Sequence, residues 1–161
     1  MMIVGYILYL LLISFHEVIL RDATSIAGVT INLPAIVVFS IALHKSETES
    51  AWFAFFAATV MCAGSPLVMG WNAVIMVILS LVLYNAREQL NLDSMVTKLV
   101  LLIAGVLVHN LVCIAITQPS DYFYQVLRFG LTGTVYTAAV AYLVYALLFG
   151  RTSRRRSRSY F

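Results

Sequence analysis

Charged residues are scarce in this 161-residue chain: they make up 11% of it, against about 25% in an average soluble protein. Hydrophobic residues make up 62%, more than a soluble domain of this length can bury, so the composition excludes an ordinary soluble fold. Cysteine is also rare. Cys62 and Cys113 both lie inside apolar runs, and we interpret them as small hydrophobic residues rather than as a disulfide framework.

Motifs of catalysis are absent as well. The sequence has no Walker loop, no Gly-Xaa-Ser-Xaa-Gly, no Cys-Xaa-Xaa-Cys and no pair of carboxylates at membrane depth. His16-Glu17 resembles the start of a zinc-protease motif, but Leu20 stands where the second histidine is needed. We therefore expect no enzyme activity, no metal and no cofactor.

Six apolar stretches approach the roughly 17–25 residues that a membrane-spanning helix needs. They cover residues 3–20, 26–43, 51–68, 71–84 (extensible toward 90), 97–117 and 122–149. Ser46 and Glu49 form a capping-box pattern before the third stretch, and Pro66 separates the third from the fourth. The sequence predicts an all-α bundle of six transmembrane helices: one polytopic domain over 1–150 and a basic cytoplasmic tail over 151–161.

The positive-inside rule predicts the orientation. With the amino terminus inside, eight basic residues lie on the inner side (Lys45, Arg87, Lys98, Arg151, Arg154, Arg155, Arg156 and Arg158), and two on the outer side (Arg21 and Arg128). Both termini are therefore expected in the cytoplasm. The third and fourth segments could instead form a re-entrant hairpin, because the 14-residue pieces beside Pro66 rise only about 21 Å each.

Polar side chains at membrane depth are candidate functional residues. His109-Asn110 predicts either a hydrogen bond to another helix or a ligand pocket, and Asn72 either a helix cap or part of that pocket. Glu17 is expected near the outer end of the first helix, where it could pair with Arg128. The small residues Gly130, Gly133, Thr134, Thr137, Ala138 and Ala141 recur at helical spacing and predict an internal or partner helix contact.

The tail arginines 151, 154, 155, 156 and 158 indicate topology and contact with anionic lipid. A tail this short next to a membrane gives no reason to expect nucleic acid.

Three patches resemble the rod shape-determining protein family MreD. They are Asn32-Leu33-Pro34, the turn at 64–73 (Gly-Ser-Pro-Leu-Val-Met-Gly-Trp-Asn-Ala), and the last segment from Leu127-Arg128-Phe129 through Tyr136-Thr137-Ala138 to the arginines. The chain departs from the family at Ala35 and at Met61-Cys62-Ala63, where many members carry acidic residues.

The resemblance implies a fold like the substrate-binding subunits of vitamin uptake transporters. It also implies a non-catalytic scaffold of the bacterial cell-elongation complex in the inner membrane. The expected partners are a single-span MreC-like protein and, more distantly, a RodA-type polymerase and its penicillin-binding transpeptidase. The alternative is a small-molecule binding subunit of a transporter, with His109, Asn110 and Asn72 lining the pocket.

Overall fold

The computed structural model describes residues 2–26, 28–90 and 94–157, with the backbone alone at 2, 3, 95 and 145–157. Six helices follow one another along the chain. Helix α1 (Met2–Phe15) continues through a π-helical segment (His16–Leu20) and a last turn (Arg21–Ala23). Helices α2 (Leu33–Ala42), α3 (Glu47–Met61), α4 (Pro66–Gln89) and α5 (Met95–Thr117) come next, and α6 combines Tyr122–Gln125, a π-helical segment (Val126–Leu131) and Thr132–Ser157.

The described residues are helical apart from short connections and one isolated β-bridge between Ile26 and Val29. Four helical stretches are long and apolar enough to cross a membrane: Val4–Ala23, Pro66–Gln89, Val96–Thr117 and Tyr122–Val144. The prediction of an all-α, multi-pass membrane bundle is therefore confirmed. Helix α6 runs on to Ser157, so the basic tail begins on this helix, whereas Arg158 and residues 159–161 lie outside the described residues.

The second predicted segment, 26–43, is helical only over Leu33–Ala42. Its first part forms a turn at Gly28, whose φ of +81° disfavours other residues. Asn32 then caps α2 by accepting a hydrogen bond from the Ala35 amide, and Pro34 occupies the first turn, where no amide is needed. The helix starts late because its cap and its proline lie there.

The third and fourth helices have other boundaries than the predicted segments 51–68 and 71–84. The Ser46–Glu49 capping box is present, so α3 begins at Glu47, and the break before Pro66 ends it at Met61. Helix α4 starts at Pro66 and has 24 residues, which rise about 36 Å and exceed a bilayer core of about 30 Å. This length supports a full crossing by α4 rather than half of a short hairpin, although the 15 residues of α3 rise only about 22 Å.

Helix α2 is the centre of the bundle. It contacts each of the five other helices, and Ala35, Val38, Phe39 and Ala42 are fully buried. Its ten residues rise only about 15 Å, which is about half the thickness of a bilayer core. The α1–α2 loop occupies part of the space beyond the first turn of this helix.

The basic residues separate between the two ends of the bundle. Arg87 donates hydrogen bonds to the carbonyls of Ala42 and Lys45, 3.3 and 2.8 Å away, which joins α4 to the end of α2. Helix α5 runs antiparallel to α4, so Lys98 lies at this same basic end. Arg21 and Arg128 lie at the other end, here called the Arg21 end. The structure thus separates Lys45, Arg87 and Lys98 from Arg21 and Arg128, which is the same division between two ends that the sequence predicted.

Gly105 marks the closest helix approach in the core. A Cβ atom there would lie 2.8 Å from Leu83 Cδ1 and 3.0 Å from Phe39 Cδ2, and both side chains are buried. Glycine therefore lets α5 lie closer to α2 and α4 than alanine could without a shift of the Leu83 and Phe39 side chains.

We expect Gly105→Ala to destabilise the protein by about 1–3 kcal/mol through overpacking. Gly5→Ala is the matched control, because a Cβ atom at Gly5 meets nothing within 4 Å and alanine favours a helix by about 1 kcal/mol. Thermal unfolding in mild detergent measures both variants. Equal stability of the two would contradict the close approach.

Candidate functional site

Asn32, at the start of α2, forms hydrogen bonds that connect helices α2, α5 and α6. Its side-chain amide donates to His109 Nδ1 at 3.1 Å and to Asn110 Oδ1 at 3.0 Å, while its oxygen accepts from the Ala35 amide. Its backbone amide donates to Thr137 Oγ1 at 3.1 Å. One asparagine therefore caps α2 and binds it to both α5 and α6.

His109 uses both ring nitrogens inside the bundle and is 2% exposed. Its Nε2 lies 2.9 Å from the Asn72 amide oxygen, which can only accept, so Nε2 carries the proton and Nδ1 accepts from Asn32. This arrangement is that of a neutral imidazole. The Asn72 amide nitrogen in turn faces Cys62 Sγ at 3.1 Å, so the chain of contacts reaches α3.

Asn110 extends the network to α6. Its amide nitrogen donates to Thr134 Oγ1 at 3.1 Å, and that hydroxyl donates to the Gly130 carbonyl at 2.7 Å. The polar network is defined here as Asn32, Asn72, His109, Asn110, Thr134 and Thr137. By helical rise it lies about 21 Å from the start of α5 and about 12 Å from its end, toward the Arg21 end.

For His109-Asn110, the structure shows hydrogen bonds to other helices, and both side chains also line a cavity. Asn72 is not a helix cap, because α4 begins six residues earlier at Pro66 and Asn72 is only 5% exposed. It contacts His109 but lines a different cavity from the one that His109 and Asn110 line. The sequence reasoning did not include Asn32, although an asparagine before Leu-Pro is itself a helix-start pattern.

The small-residue face of α6 packs inward. Gly130, Gly133, Thr134, Thr137 and Ala141 are buried and Ala138 is half-buried. A Cβ atom on Gly130 would lie 3.1 Å from Ile114, and one on Gly133 would approach Val29 and Asn110. The prediction left open an internal or a partner helix contact, and in the structure α5 and the α1–α2 loop pack against this face, which is the internal alternative.

A cavity of about 230 Å³ lies beside the network at the Arg21 end. Its floor includes Asn32, His109 and Asn110, and the described loop residues 28–31 form one wall. Glu17 and Phe129, from the two π-helical segments, line it as well. Such segments often occur at functional sites.

Glu17 pairs with Arg21 and not with Arg128. Arg21 Nη1 lies 3.2 Å from Glu17 Oε2, one helical turn away, and both side chains line the cavity. Arg128 instead donates to the Tyr124 hydroxyl and places its guanidinium 5.2 Å from the centre of the Phe129 ring. The i,i+4 spacing within α1 makes the local pair easier to form than a pair between helices.

His16 is 1% exposed, and neither ring nitrogen has a hydrogen-bond partner. Its Nδ1 lies 3.5 Å from Glu17 Oε1. The described residues contain no group of three or more His, Cys, Asp or Glu side chains placed to hold a metal ion.

Comparisons of the chain with protein-family models, with curated proteins and with solved structures found no match. The resemblance to MreD therefore stays a prediction that rests on the three sequence patches.

We expect Asn32→Ala to lower the free energy of unfolding by about 2–4 kcal/mol. The change removes three side-chain hydrogen bonds, each worth about 0.6–1.5 kcal/mol, and leaves buried partners unpaired. Asn85→Ala is the matched control, since Asn85 is exposed and its side chain bonds only to the Leu81 carbonyl of its own helix. Thermal unfolding in bicelles compares the two, and a similar midpoint for both would refute the central role of Asn32.

Proposed function

We propose that this protein is a non-catalytic scaffold subunit of the MreD type, which supports peptidoglycan synthesis and rod shape by binding an MreC-like single-span protein. The observation that carries the proposal is the closed polar network. Its polar groups bond to one another, so they hold the bundle together rather than form a charged path through it. The apolar outer surface is then the main surface offered to a partner.

The proposal includes a location and an orientation. The protein resides in the bacterial inner membrane with both termini in the cytoplasm. The grouping of Lys45, Arg87 and Lys98 at one end supports this orientation through the positive-inside rule. The tail arginines add contact with anionic lipid, and RodA-type polymerase and penicillin-binding transpeptidase associate through the MreC-like partner.

The partner helix has a suitable groove on the outside of α3 and α4. This groove has a volume of about 440 Å³ and is lined by Phe55, Gly70, Ala73, Val74, Val77 and Ile78. A Cβ atom on Gly70 would meet nothing within 4 Å. In lipid, helices associate by close packing rather than by the hydrophobic effect, and a glycine in an apolar groove permits such packing.

A second candidate function is a small-molecule binding subunit of a membrane transporter. The cavity beside Asn32, His109 and Asn110 favours it, because a concave site with a few convergent polar groups is the usual form of a ligand pocket. In this alternative the network positions the ligand as well as the helices.

We expect Gly70→Leu to reduce co-purification of a single-span partner by about tenfold, because the added side chain fills the groove that the partner helix would occupy. Gly5→Leu is the matched control: it adds the same side chain to an equally open glycine on another helix. Mild-detergent pull-down of tagged protein, with mass spectrometry of proteins and small molecules, measures both.

Recovery of an MreC-like protein or a cell-wall synthase with the wild type and Gly5→Leu, but not with Gly70→Leu, supports the scaffold and this groove. Equal recovery with both variants would exclude the groove. A stoichiometric small molecule without any such partner would overturn the scaffold and favour the second candidate.

A further inference from the structure

We propose that the cavity at the Arg21 end binds a small zwitterion, with its oxyanion on Arg21 and its ammonium group on Glu17. This inference deepens the second candidate function by naming the ligand class, and it does not depend on the scaffold or its partner.

The charges of the lining carry the proposal. Among the described lining residues, Glu17 and Arg21 are the ionic ones, since His109 is held in its neutral form. The cavity therefore has one negative and one positive group and no net charge. A ligand with a single charge would add an uncompensated charge to this neutral pair, whereas a zwitterion can contact both groups without changing the net charge.

Both charged groups keep unused bonding capacity. The contact of Arg21 Nη1 with Glu17 Oε2 leaves the other guanidinium N–H groups free of this pair, and Glu17 Oε1, which lies 3.5 Å from His16 Nδ1, can still accept a hydrogen bond. The Arg21 side chain is 55% exposed and can be reached from outside, while the Glu17 side chain is 10% exposed and is held in place. A ligand entering past Arg21 meets Glu17 further in.

The floor of the cavity, formed by Asn32, His109 and Asn110, offers uncharged hydrogen-bonding groups to a polar ligand. Asn32 uses both of its amide hydrogens within the network, but Asn110 uses only one of two and one of its two oxygen lone pairs. Asn110 can therefore donate to or accept from a bound molecule while its structural bonds remain. Gly130 and Gly133 also line the cavity and add no side chain of their own to it.

Size restricts the ligand class. The volume of about 230 Å³ lies below the roughly 300–1,000 Å³ of pockets for drug-sized molecules. Two sources offer an ammonium group and an oxyanion within a few bonds in so small a space. One is a free amino acid, and the other is the ethanolamine phosphate headgroup of phosphatidylethanolamine.

The test uses the full-length protein in nanodiscs. One arm measures retention of a radiolabelled mixture of the common amino acids in phosphatidylglycerol discs. The other arm measures phosphatidylethanolamine retained by native mass spectrometry after reconstitution with equal amounts of the two lipids. The variants are Glu17→Gln, Arg21→Gln and the control Arg128→Gln, which removes an arginine from the same end that does not line the cavity.

We expect one arm to show retention by wild type and Arg128→Gln, with a loss of about tenfold or more in Glu17→Gln and Arg21→Gln, because each loses a charge-assisted bond. The arm that responds identifies the source. Thermal unfolding of each variant verifies folding, and Arg21→Lys, which keeps the charge, should recover part of the retention. Retention in neither arm, or retention that is equal in all variants, overturns the proposal whatever partner the protein has.

Discussion

The fold depends on the hydrogen bonds of one residue, Asn32, through its side chain and its backbone amide. In a lipid-exposed bundle the hydrophobic effect gives little preference among helix arrangements, because lipid tails are as apolar as leucine. Polar groups must then find partners inside the protein. Asn32 supplies these partners to the start of α2, to His109 and Asn110 on α5, and to Thr137 on α6. The position and direction of α2 follow from this, and the other helices pack around it.

The shortness of α2 has a consequence for the Arg21 end. A helix that fills only part of the bundle leaves space above its first turn, and the α1–α2 loop covers this space only in part. The loop is fixed at its edges by the bond from the Tyr136 hydroxyl to the Thr24 carbonyl and by the turn at Gly28. The cavity is thus a direct result of where α2 begins, and its floor is the same network that holds the helices.

The inward packing of the small residues on α6 changes how a partner would be bound. Glycine and threonine at helical spacing are used within the protein, where Gly130 and Gly133 let α5 and the loop approach. A partner is left with the outer faces, which carry large exposed apolar residues such as Leu67, Trp71 and Phe123. A scaffold and a ligand-binding subunit would then use different parts of one bundle: the lipid-facing side of α3 and α4, and the Arg21 end.

The sequence by itself determined the class of fold, because apolar composition and segment length leave no other solvent than lipid. The capping box at Ser46 and the break at Pro66 could also be predicted from the sequence, since each is set by local chemistry. The local Asn32-Leu33-Pro34 pattern also explains the start of α2, whereas the packing of the bundle alone shows that Asn72 faces His109 and that Glu17 pairs within its own helix. The periodicity of small residues could not tell an internal face from an external one, because in lipid both are apolar and close-packed. Which face of α6 lies inward is set by contacts with distant parts of the chain, such as the bond from the Asn32 backbone amide to Thr137, about a hundred residues away.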